Sequence, residues 1–174
     1  MTERSHARAL RRVHTDLKKA TRSNDYKAYI LEDSNQGFPI LYMVHTVNNE
    51  MPIYGGQTHI LEVKFTNTYP KDPPKIRFVS PIVHPNVFGN GICLSILNSH
   101  GPGWEGGWSP MYDIDAIFMS LIVFLQNPQD IKKDIEGKLE SKTGLAERNK
   151  SNYKKNYSQV VEFIEKLERE KIDM

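Results

Sequence analysis

The period of the apolar positions changes along the chain, and each change marks a different kind of element. From about Glu3 to Thr21, Leu10, Val13, Leu17 and Ala20 recur at the spacing of one helix face. Four strand-like runs follow, at Tyr26–Leu31, Pro39–Val47, Gln57–Thr66 and Lys75–Val79. The third alternates, with Leu61, Val63 and Phe65 on one side and Glu62 and Lys64 on the other, and the fourth points Ile76 and Phe78 inward. The connections between the runs are short, which implies an antiparallel meander. Helical spacing returns at Ile114, Ile117, Phe118, Leu121, Ile122 and Leu125, behind Asp113 as N-cap and ahead of Asn127-Pro128 as stop. Asp130–Leu139 predicts a short helix and Lys142–Gly144 a break. A last helix follows, with Tyr153, Tyr157, Val160, Ile164 and Leu167 on a stripe that suits core packing. The expected fold is α+β: an N-terminal helix, a four-stranded antiparallel meander, a central helix packed on the sheet, and C-terminal helices.

Composition narrows the class. At 174 residues, 39% hydrophobic and 25% charged, the chain is expected to form one domain over 1–174, large enough to bury a core without disulfides or metals. The longest apolar run, Ala116 to Leu125, is broken by Ser120 and is too short to span a bilayer, so no membrane partner is expected. No apolar stretch follows the basic N-terminus as in a secretory signal, which makes cytosol or nucleus the expected location. The six histidines are scattered and there is one cysteine, so no metal site and no cofactor are expected. No glycine-rich phosphate loop is present to bind ATP.

Charge is local. The net charge is +2 overall but +5 over the first 22 residues, where Arg8, Arg11 and Arg12 stand with four other basic residues. Such a face is either simply solvated or a docking surface for an acidic partner. Nucleic acid is the weaker reading, because no aromatic residues are interleaved to stack on bases.

The candidate chemistry sits between His84 and Pro110. His84-Pro85-Asn86 leads through Gly89-Asn90-Gly91 to Ile92-Cys93-Leu94-Ser95-Ile96-Leu97, and a glycine-rich loop ends in Trp108-Ser109-Pro110. Cys93, the only cysteine, is either a small buried hydrophobe or a reactive thiol. The turn-forming residues before it favour a thiol carried where a loop meets a core anchor. No Lys or Arg lies within eight residues of it to lower its pKa, and the turn at His84-Pro85 favours a hydrogen-bonding role for His84 over that of the base in a protease-type Cys-His pair.

The order and spacing of His-Pro-Asn, Asn-Gly-Ile-Cys-Leu and Trp-Ser-Pro resemble the ubiquitin-conjugating enzymes over nearly the whole chain, about 7–164. Tyr54-Gly55-Gly56 and the proline-rich Tyr69–Pro74 segment are similar to theirs as well. The resemblance implies that Cys93 receives ubiquitin or a ubiquitin-like protein as a thioester from an activating enzyme. A ubiquitin ligase would then assist transfer to substrate lysines. It implies two roles for Asn86, stabilising the oxyanion or ordering the loop, and gives Arg8, Arg11 and Arg12 a protein partner. Pro110 matches a ligase contact, whereas Lys71 replaces the large apolar residue that often follows Tyr-Pro. Ser95 stands where many relatives have an aspartate that aids lysine attack, so that aid is sought in Asp130. Fourteen residues separate Cys93 from Trp108, about twice the usual number, and read as a flap with Glu105 as its only acid. The alternative is an inactive family variant that only presents ubiquitin or assists a partner. Such variants lose the cysteine, and this chain keeps Cys93 together with Asn86.

Overall fold

The computed structural model describes residues 3–33, 37–89, 91–98, 107–126 and 142–173. Helix α1 (Glu3–Ala20) opens the chain, followed by strands β1 (Lys27–Leu31), β2 (Ile40–Thr46), β3 (Thr58–Lys64) and β4 (Lys75–Phe78). Two short strands, β5 (Val87–Phe88) and β6 (Gly91–Ile92), precede α2 (Ile114–Gln126) and α3 (Lys142–Glu170).

The sheet has six strands in the order β1-β2-β3-β4-β6-β5, all neighbours antiparallel, rather than the expected four. The meander itself forms as the alternation predicts. The two extra strands come from the segment that its glycines and asparagines marked as turn. Gly89 takes a φ of +59°, which a residue without a side chain adopts at little cost, and the resulting hairpin pairs Gly91 with Arg77 of β4. Two residues per strand are too few for periodicity to register.

α1 and α2 close one face of the sheet. Ala9, Val13, Leu17 and Ala20 from α1 and Ile114, Ile117, Phe118, Leu121 and Leu125 from α2 are buried against Leu41, Met43, Leu61, Val63 and Phe65. The buried stripe of α1 runs through Ala9, and Leu10 is 39% exposed, one position off the expected pattern. Asp113 caps α2 by accepting a hydrogen bond from Ala116 N–H at 2.9 Å, as its position ahead of the apolar run predicts.

α3 covers the opposite face. Val160 and Leu167 pack with Tyr29, Tyr42 and Ile60, and Phe163 meets Tyr42 edge-on at 5.4 Å. Beyond the helix, Ile172 N–H donates to Ile30 O at 2.8 Å on the outer edge of β1. The break expected at Lys142–Gly144 is instead the first turn of this helix. A glycine costs a helix about 1 kcal/mol, and burial of Leu145 and Asn149 just beyond offsets it. Tyr157, expected in the stripe, is half exposed. The short helix expected at Asp130–Leu139 lies outside the described residues.

Candidate functional site

Cys93 follows β6 directly and is exposed. Its N–H donates to Asn86 O at 2.8 Å, which closes the hairpin around the thiol. Asn86 N–H donates to His84 Nδ1 at 3.1 Å, and Val87 N–H to His84 O at 3.1 Å. An acceptor at Nδ1 requires the neutral ring with its proton on Nε2. His84 is buried and stacks on Tyr54, with centroids 6.0 Å apart and planes at 25°. The site is therefore a tight turn whose main chain carries the ordering bonds. The side-chain Oδ1 of Asn86 is buried and has no hydrogen-bond partner among the described residues. That unsatisfied oxygen has a cost, and such costs tend to persist where a side chain has work other than folding.

Ser95 begins a single 3-10 turn, Ser95–Leu97, two residues after the thiol, and is exposed. Asp130, expected as the acidic support, lies outside the described residues, as do residues 99–106 of the long loop.

Of the residues expected to meet partners, Arg12, Lys71 and Pro110 come together at one corner. Trp108 Nε1–H donates to Pro70 O at 2.9 Å, and its ring lies 6.0 Å from Tyr69, so the loop carrying Lys71 sits beside the loop carrying Pro110. The Tyr69-Pro70 peptide is cis. Lys71 and Pro110 are exposed, and neighbouring Met111 is 89% exposed. Arg8 and Arg11 project from α1 into solvent, but Arg12 turns inward. Its guanidinium donates to Pro110 O at 2.6 Å, to Tyr112 O at 2.5 Å and to Asp16 Oδ2 at 3.0 Å. It also lies 5.4 Å over the Tyr69 ring, whose hydroxyl donates to the same Asp16 oxygen. Burial pushes the Asp16 carboxyl up, against the opposing pull of Tyr69 and Arg12. Sequence reasoning placed Arg12 on the docking face because helical spacing locates a residue but not the direction a long side chain takes. It missed Asp16, Tyr54 and Asn149, polar residues that each bond to a partner dozens of residues away.

Comparison with known proteins agrees with this architecture. Residues 12–161 match the family model described as "Ubiquitin-conjugating enzyme". The chain belongs to the ubiquitin-conjugating enzyme family. It is 35% identical over 116 residues to "Ubiquitin-conjugating enzyme E2 1" of Caenorhabditis elegans, covering 65% of this chain and 53% of that protein. It is 36% identical over 110 residues to "Ubiquitin-conjugating enzyme E2 3" of Arabidopsis thaliana, covering 63% and 66%. The chain thus spans about half the worm relative's length and just under two thirds of the plant relative's. Among solved structures, human ubiquitin-conjugating enzyme E2 G1 superimposes with a TM-score of 0.54 at 29% identity, over 72% of this chain and 97% of that one.

Proposed function

We propose that this protein carries ubiquitin or a ubiquitin-like protein as a thioester on Cys93 and passes it to lysine. The observation that carries the reading is the exposed thiol on a turn whose hydrogen bonds run through the main chain of Asn86, with the side-chain oxygen of Asn86 unbonded among the described residues. A thiolate is both a good nucleophile and a good leaving group, so acyl exchange onto Cys93 is nearly balanced in energy. In the second step a lysine amine attacks the thioester carbonyl. The carbon–nitrogen bond forms, the carbon–sulfur bond breaks, and the amine proton leaves to solvent or a nearby base. Charge grows on the carbonyl oxygen, where the Asn86 amide N–H would donate to it. Because the loop's ordering bonds use Asn86's backbone, the catalytic role is favoured over the loop-ordering one. Arg8 and Arg11 are the exposed cations available to meet an acidic surface of the activating enzyme. Arg12 is committed to the Pro110 loop. Lys71, Pro110 and Met111 form the corner offered to a ligase. Ser95 and Asp130 are assigned to support of the incoming lysine, and cytosol or nucleus is the proposed location.

The test is loading with ATP, an activating enzyme and a panel of modifiers. A thiol-sensitive adduct should form with one of them and vanish in Cys93→Ala. Cys93→Ser should give an adduct that resists thiols and yields to hydroxide. In Asn86→Ala, loading should persist while discharge to lysine slows by about 3 kcal/mol, roughly a hundredfold. A thiol-sensitive adduct surviving in Cys93→Ala would overturn the reading.

A further inference from the structure

Between the sheet and the candidate site runs the segment Ser80–His84, which lies outside helix and strand and whose end sets the position of Asn86 and, through it, of Cys93. This segment is gripped at one residue from two sides. Val83 N–H donates to Asn149 Oδ1 of α3 at 2.9 Å, and Val83 O accepts the hydroxyl of Tyr54 at 2.9 Å. Asn149 is 0% exposed, and its Nδ2 donates to the buried Gln57 Oε1 at 2.7 Å. Because a backbone N–H can only donate, the oxygen of Asn149 must face Val83 and the nitrogen must face Gln57. The side chain is thus fixed at both ends. Tyr54 adds a second constraint, since its ring also stacks on His84, whose Nδ1 holds Asn86 N–H. Its own loop is closely packed: a side chain on Gly55 would come within 2.6 Å of two carbonyl oxygens, so the turn that presents Tyr54 is tightly closed.

We infer that Tyr54 and Asn149 are positioning residues for the transfer reaction, a clamp on the Val83 peptide that sets where the Asn86 amide stands relative to the Cys93 thioester. The inference rests on the proposed roles of Cys93 and Asn86. Every link is a hydrogen bond or ring contact: Asn149 and Tyr54 to Val83, Tyr54 to His84, His84 to Asn86, Asn86 to Cys93. A group aligned on a developing charge loses much of its effect with a displacement of about 1 Å, whereas thiol exchange on an exposed sulfur tolerates more. The clamp therefore matters mainly for discharge.

The test uses Tyr54→Phe, which removes one hydroxyl and keeps the stacked ring, together with Asn149→Leu. Val160→Ala serves as control, because it weakens the packing of α3 on the sheet without touching Val83. In the whole 174-residue chain, amide exchange at Asn86 and Cys93 should speed up about tenfold in both clamp variants relative to the rest of the sheet, but not in the control. Discharge of the loaded modifier to free lysine should slow by about tenfold while loading stays within about threefold. In the Asn86→Ala background the clamp variants should add almost nothing. Unchanged exchange at Asn86 and Cys93 in both clamp variants would overturn the clamp, as would equal slowing of discharge by Val160→Ala. If Asn149→Leu does not fold, Tyr54→Phe decides alone. If the wild-type protein forms no thioester, the reading of Cys93 fails, and amide exchange still reports whether the clamp holds the turn.

Discussion

On one face of the sheet, α1 and α2 bury Leu41, Met43, Leu61 and Val63 beneath aliphatic and aromatic side chains. On the other, α3 lays Val160 and Leu167 over two tyrosines and Ile60, and much of the remaining contact is polar. Glu62 is buried there, receiving a two-pronged bond from Arg77 at 2.6 and 3.0 Å and the Tyr42 hydroxyl at 2.9 Å. Glu168 of α3 binds Lys27 and the Tyr29 hydroxyl, and Thr58 N–H donates to Tyr153 at 2.8 Å. The first face also buries an ionisable group, His59, but holds it neutral. Ser80 Oγ lies 3.5 Å from its Nδ1, and its Nε2 has no partner among the described residues. The first face gains its stability from apolar area, with directional bonds secondary. The second obtains part of its stability, and its register, from directional bonds that apolar area alone would not fix.

The contrast is broken most directly by truncating the apolar side chains. Leu121→Ala, at a fully buried position on the first face, should cost about 3 kcal/mol in denaturant unfolding, and Val160→Ala on the second about 2. Equal losses would erase the difference between the two faces, and reversed losses would give α3 the larger share of the core.

Acid titration sharpens it. Burial, with help from His45 and His84, pushes the His59 ring down to about 3. The unfolded chain takes up a proton near pH 6.5 and the folded one does not, so stability falls as pH drops through 6.5 toward 3. Between pH 7 and pH 5 this amounts to about 2 kcal/mol. His59→Gln should remove that slope even though it lowers the starting stability. An unaltered slope would place the protonation elsewhere.

A smaller effect is expected from Glu62→Gln. Burial alone would raise the Glu62 carboxyl, but its bonds to Arg77 and Tyr42 outweigh burial and leave it lowered. The group's contribution is therefore present above its unfolded value near 4.5 and is lost as pH falls through the lower folded value. Because Arg77 is half exposed, solvent screens the pair, and the substitution should cost about 1 kcal/mol at neutral pH and nothing in strong acid. A melting temperature equally lowered at pH 7 and pH 2 would show that packing, not charge, is what Glu62 supplies.

The meander, both flanking helices of the first face, the N-cap at Asp113 and the segment in which Cys93, Asn86 and His84 meet are all legible in the order of residues along the chain. These are local or periodic features: apolar spacing, turn residues and a motif whose members lie within ten residues of one another. That order did not determine that the sheet has six strands, because β5 and β6 are too short to show a period. Nor did it determine that Glu62, placed on a polar side by alternation, lies beneath a helix. Alternation reports one covered face and is silent about a second covered by tyrosines and ion pairs. The direction of Arg12 and the meeting of Tyr54, Gln57, Val83 and Asn149 emerge only once the chain is folded. A polar side chain satisfies its hydrogen bonds with whatever the fold brings within 3 Å. For these residues the partner is set by packing far along the chain, with no trace in the neighbouring sequence.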